Sequence, residues 1–144
     1  IHRAQEIGVA EANPWHDLDG WDAVMKTTIL ANNLLGGQLT PFKVKREGLR
    51  SLSNDEIHTA AAQGTPLRLV SQASRQNGNI FAEVSPQRLH ADDVLHIGKG
   101  TTSIISLETE AMGVITLVEH EPKVAQTAYG VLSDLIIVLQ QRRN

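Results

Sequence analysis

The chain predicts an α+β domain, a mixed β-sheet of about four strands packed against helices. Three observations point there. Residues 103–108 and 114–119 are short runs rich in isoleucine and valine, and residues 67–75 and 79–85 flank a Gln76, Asn77, Gly78 turn of hairpin type. Residues 21–35 and about 123–141 are long enough and continuous enough to be helices. At 144 residues and 15.7 kDa, the chain can bury one core but not two full domains, so residues 1–144 are expected to form a single domain.

The elements follow in order. Residues 1–7 read as the last turns of a helix ended by Gly8. Pro14 stops that helix, and residues 13–20 favour turns and caps, so an ordered loop is expected. Asp19 or Gly20 can cap a helix starting near Trp21, which then runs free of proline and glycine to Leu35 and ends at Gly36 and Gly37. Residues 40–52 make a connection with room for a short extended piece. Ser53, with Glu56 three residues on, is a capping box opening a helix through Ala62, closed by Gly64 and Pro66. The hairpin strands come next, then a segment around Leu95 and Ile97 with no assigned type, then the two isoleucine- and valine-rich strands. In the last helix Val124, Ala128, Val131, Leu135 and Val138 recur at helical spacing, a stripe read as core.

The chemistry is concentrated in residues 11–26, EANPWHDLDGWDAVMK, with four acidic residues and one lysine around a turn and a helix start. Asp22 and Lys26 stand four apart with the carboxylate N-terminal, which puts both on one helix face within mutual reach. Asn33 extends that stripe. Trp21, Val24, Met25, Thr28 and Leu35 make an apolar side, with Ile29 and Leu30 flanking the charges, so the helix is expected to be largely buried and the pair to face a cleft. A pair of this kind is ordinarily a solvated contact worth about 0.3 kcal/mol. What singles this one out is the loop bearing Glu11, Asp17 and Asp19 that runs into it: carboxylates converging on a lysine suit an amine-bearing substrate held beside a proton donor.

The segment AQEIGVAEANPWHDLDGWDAVMKTTILAN resembles the active-site segment of the homoserine dehydrogenase family, which reads A-Q-x-x-G-[YF]-A-E-x-[DN]-P followed by D-x-x-G-x-D-x-x-x-K and an apolar helix. The resemblance implies the catalytic, substrate-binding and dimerisation domain of an NAD- or NADP-dependent oxidoreductase that interconverts L-homoserine and L-aspartate 4-semialdehyde, active as a homodimer. It places Glu11 and Asp17 on substrate-binding acids, Asp22 beside the reacting centre, and Lys26 on the lysine that shuttles the hydroxyl proton. A positioned acid or base lowers such a barrier by a factor of about 100 to 10,000. A lysine ammonium ordinarily keeps its proton at neutral pH, so Lys26 is read as proton donor to the aldehyde, with a water as a conceivable relay. Val9 stands where many relatives carry an aromatic ring. Further on, DVLHIGKGTTS has Ser103 in place of the family's asparagine. EHEPKVAQTAYGVLSDL keeps Thr127, Ala128 and Asp134 but lacks the glycine-rich run of its relatives.

Other features set bounds. The strand, G-x-G-x-x-G, helix fingerprint of a dinucleotide site is missing, and GKGTTS fails as a phosphate loop because Asp93 stands at the first glycine position and Gly100 at the hydroxyl position. With Ile1 in place of an initiator methionine, the expectation is a piece of a longer protein whose N-terminal dinucleotide-binding domain lies elsewhere. The competing reading is a non-catalytic binding or oligomerisation domain that kept the fold, or an oxidoreductase for a different hydroxy acid. The chain has no cysteine, hence no disulfide and no thiolate chemistry. Its net charge of −3 with scattered signs argues against nucleic acid, and the basic cluster Lys43, Lys45, Arg46, Arg50 reads as a solvated loop face. No apolar run approaches a membrane span, so a cytoplasmic location is the default. The six histidines lack metal-ligand spacing, with His16 the one that could touch substrate; Trp15 and Trp21 read as anchors of a buried turn.

Overall fold

A computed structural model describes residues 5–6 and 13–142. The chain divides into two compact units, residues 13–96 and residues 1–12 with 97–144, and the mix of helices and sheet is the α+β class the sequence predicts.

In the first unit a single helical turn, α1 (Trp15–Leu18), precedes the site helix α2 (Trp21–Leu35). The segment expected to be a loop thus contains one turn of helix, because Pro14 supplies a fixed φ ahead of four residues without a breaker. Gly20 takes the position before α2 at φ 79° and Gly36 the one after it at φ 60°, both left-handed and both cheapest for glycine. After a short extended piece, β1 (Lys45–Arg46), comes α3 (Asn54–Ala62), opened by the expected capping box: the Glu56 backbone N–H donates to Ser53 Oγ at 3.2 Å and the Ser53 N–H to Glu56 Oε2 at 2.8 Å. The hairpin β2 (Leu67–Gln76) and β3 (Asn79–Arg88) turns through Asn77 and Gly78 at φ 52° and 81°, the paired positive values of a type I′ turn. Strand order is β1-β3-β2, with β1 parallel and β2 antiparallel to β3.

One face of α2 packs on this sheet. Val24, Val44 and Val84 are buried at its centre, with Trp21, Ala23, Leu39, Leu69 and Ala82 packed around them. Removing each valine from water stabilises the fold by about 1.5–3 kcal/mol. Thr27 and Thr28 are buried on the same face because each hydroxyl returns a hydrogen bond to the carbonyl four residues back, at 2.7 and 2.8 Å. Asn32 fixes the exit of the helix: its amide donates to the Leu39 carbonyl at 2.9 Å and its oxygen accepts from the Leu39 N–H at 2.7 Å.

The other unit is built differently. β4 (Ser103–Thr109) and β5 (Gly113–Glu119) form a two-stranded antiparallel sheet, closed by Thr109, whose hydroxyl accepts from the Met112 N–H and donates to the Gly113 carbonyl. The helix α4 (Val124–Gln141) follows. None of its residues is buried, and the stripe read as core is open: Val124 is 65 %, Val131 66 %, Leu135 55 % and Val138 47 % exposed, and Ala128 is exposed as well. Helical spacing of apolar residues marks a face that can pack, not one that is packed, and among the described residues of this unit nothing lies over it.

Candidate functional site

The acidic turn and the start of α2 come from one continuous stretch. α1 presents Asp17, the Asp19–Gly20 turn reverses the chain, and α2 begins with Asp22 in its first turn, where a carboxylate also suits the helix N-terminus. Four residues on, Lys26 Nζ meets Asp22 Oδ2 at 2.6 Å, so the expected pair is formed. Glu11 lies outside the described residues, as does Val9.

The setting of the pair differs from the expectation. The Lys26 side chain is 70 % and that of Asp22 47 % exposed, so within this chain they stand on an open face and not in a cleft. The reason is the polarity of α2. Its buried side is made by Val24, Thr27, Thr28 and Ala31, two of them threonines satisfied by the helix backbone. Met25, assigned to the apolar side, is 49 % exposed and joins Ile29, Leu30 and Leu34 in a ring of half-open apolar groups around the charged stripe. An Asp–Lys pair edged by uncovered hydrocarbon is primed to lose water once something apolar covers it.

All four residues of the basic cluster are exposed, as a solvated loop face requires, and two of them, Arg46 and Arg50, also reach the acidic turn. Arg46 donates from Nη1 to the Asp19 carbonyl and lies over the Trp21 ring at 4.5 Å from its centroid. Arg50 lies over Trp15 at 4.7 Å and reaches Asp19 Oδ1 with Nη1 at 3.5 Å. Lys45 pairs with Glu83 at 2.9 Å across β1 and β3; that hydrogen bond raises the lysine pKa and lowers the glutamate's. Between the two arginines, a Cβ on Gly48 would stand 2.7 Å from both the Asp19 Cα and the Leu18 carbonyl oxygen, so only glycine lets the two backbones touch. Trp21 is half-buried beside the core and meets Phe42 edge-on, whereas Trp15 is 50 % exposed, so of the two expected anchors only Trp21 packs on the core. The roles of Arg46, Gly48 and Arg50 do not show as a motif because their partners lie 25 to 35 residues away in sequence.

Asp19 is thus neutralised by arginine and Asp22 by lysine, while among the described residues Asp17 makes no ion pair. Its side chain lies on the exposed side of the turn.

A family model for homoserine dehydrogenase matches residues 1–136. The chain is 35 % identical over 141 residues to a protein named NAD(+)-dependent homoserine dehydrogenase from Pseudomonas canavaninivorans, covering 97 % of this chain and 40 % of that one. It is 30 % identical over 144 residues to homoserine dehydrogenase of Lactococcus lactis, spanning 34 % of its length. Its backbone superposes on the crystal structure of S. aureus homoserine dehydrogenase at pH 6.5 with a TM-score of 0.81 and 25 % identity, over 96 % of this chain and 35 % of that one. The chain spans about a third to two fifths of the relatives it matches. An acidic turn leading into an Asp–Lys helix, together with a sequence match that runs from residue 1 to residue 136, shows that the chain belongs to the homoserine dehydrogenase family.

Proposed function

We propose that the complete protein is a homoserine dehydrogenase, interconverting L-homoserine and L-aspartate 4-semialdehyde with NAD or NADP, and that these residues are its substrate-binding and dimerisation part. The observation that carries the reading is the 2.6 Å Asp22–Lys26 pair at the head of α2, on the family's own motif. Asp17, with Glu11, holds the substrate ammonium. Lys26 donates its proton to the aldehyde oxygen in the reducing direction, and Asp22 holds the lysine in place. The half-open Met25, Ile29, Leu30 and Leu34 let the rest of the protein and the bound ligands exclude water from the pair.

Hydride chemistry is what a nicotinamide supplies. The described residues do not offer the strand, glycine turn and helix that seat its pyrophosphate, so the cofactor falls to chain outside them, with NAD favoured by the name of the Pseudomonas relative. No helix among the described residues is long and apolar enough to cross a membrane; the reading as a cytoplasmic homodimer rests on the family resemblance alone. The test is to assay the full-length protein with L-homoserine and each nicotinamide cofactor in turn. Homoserine-dependent reduction of one of them is expected. No turnover with either overturns the reading in favour of a non-catalytic domain of the same fold or a dehydrogenase for another hydroxy acid.

A further inference from the structure

The cluster around residue 48 does more than decorate a loop. We infer that Arg46 and Arg50 are positioning residues that hold the acidic turn in its substrate-ready shape, an inference that rests on the dehydrogenase reading above. Four contacts converge on seven residues of chain. The Arg46 guanidinium caps the Asp19 carbonyl and covers Trp21; that of Arg50 covers Trp15 and pairs with the Asp19 carboxylate. Trp15 and Trp21 are the two ends of the turn, and Asp19 is near its middle. Gly48 lies between the arginines with its Cα against the Leu18 and Asp19 backbone, so the loop carrying both guanidinium groups cannot retreat without releasing the turn.

The anchoring has a firm base. β1, which carries Arg46, is parallel to the central strand with Arg46 opposite Val84, one of the three buried core valines. The Glu47 N–H continues the ladder by donating to the Val84 carbonyl at 2.8 Å. A Cβ on Gly20 would touch Val84, Leu69 and Arg46 at once, so the end of the turn is seated on the same spot. Chemically, the arrangement separates two tasks among three like charges. Asp19 spends its charge on the clamp, and Asp17 and Asp22 keep theirs for ligand and lysine. A planar guanidinium is needed because it must stack on an indole and donate in the plane at the same time, which an ammonium cannot do.

The test uses the full-length enzyme and four proteins: wild type, Arg46→Gln, Arg46→Lys and, as a control for losing a surface arginine, Arg68→Gln. Two quantities are read, steady-state kinetics and amide hydrogen exchange of the peptide covering residues 15–22. Arg46→Gln is expected to lower kcat/KM for homoserine about 10- to 100-fold, carried mainly by KM for the amino acid, with KM for the cofactor unchanged and exchange in the turn faster. Arg46→Lys should recover part of the loss, and Arg68→Gln should match wild type. An active wild type whose homoserine KM does not move in Arg46→Gln, or an equal loss in Arg68→Gln, overturns the clamp while leaving the dehydrogenase reading intact. Unchanged exchange in Arg46→Gln does the same. A wild type without homoserine turnover overturns the dehydrogenase reading and the aligning role with it.

Discussion

The two units of this chain use their apolar residues in opposite ways. Residues 13–96 bury Val24, Val44, Val84 and Leu89 almost completely and present their charged machinery on the outer face of the helix that covers them. In residues 97–142 no described side chain is buried, and α4, the most apolar of the described helices, is open along its length. Apolar content therefore does not locate stability here. A threonine-lined, half-polar helix is the one that carries a core, while a leucine- and isoleucine-rich one rests on nothing described.

That difference can be broken by paired truncations in this chain. Leu89 is 1 % exposed, so Leu89→Ala should cost about 2–5 kcal/mol in denaturant unfolding. Leu135→Ala, at a residue 55 % exposed, should shift the same transition by no more than about 0.5 kcal/mol. Equal losses would show that α4 carries core after all. A smaller effect belongs to Gly20. Its φ of 79° and the 3.4 Å approach of a Cβ to Val84 predict that Gly20→Ala destabilises the first unit by about 1–2 kcal/mol, read from its melting curve, whereas no loss would mean the turn shifts freely.

Hydrogen bonds from the Ser53 N–H and hydroxyl hold the Glu56 pKa below its ordinary 4.5. A group whose folded pKa is depressed contributes stability above its unfolded value and loses it as pH falls through the folded one. Wild type should therefore lose stability below pH 4.5 more steeply than Glu56→Gln, measured by unfolding at a series of pH values, and identical pH profiles would show that the Glu56 charge contributes nothing to the stability of the first unit.

Local rules were enough for most elements. The capping box at Ser53, the Asn77–Gly78 hairpin and the glycines bounding α2 are each set by residues within a few positions of one another, and each stands where the sequence puts it. The Asp22–Lys26 contact was legible for the same reason, since four residues is one helical turn. What sequence could not supply was cover. Whether the pair sits in a cleft and whether the α4 stripe is core depend on what packs from outside the segment, and in this chain nothing described covers either. The arginine clamp was illegible in another way: Arg46 and Arg50 read as loop charges until β1 brings them under the turn.

In the reading proposed above, the inner face of α2 serves the fold and its outer face the reaction. Turnover and melting temperature of Lys26→Met, measured side by side with wild type in the full-length enzyme, test it most directly. Lys26 is an exposed partner in a pair that contributes little to folding. Homoserine turnover is expected to fall about 100- to 10,000-fold with the melting temperature essentially unmoved. Turnover equal to wild type would contradict it.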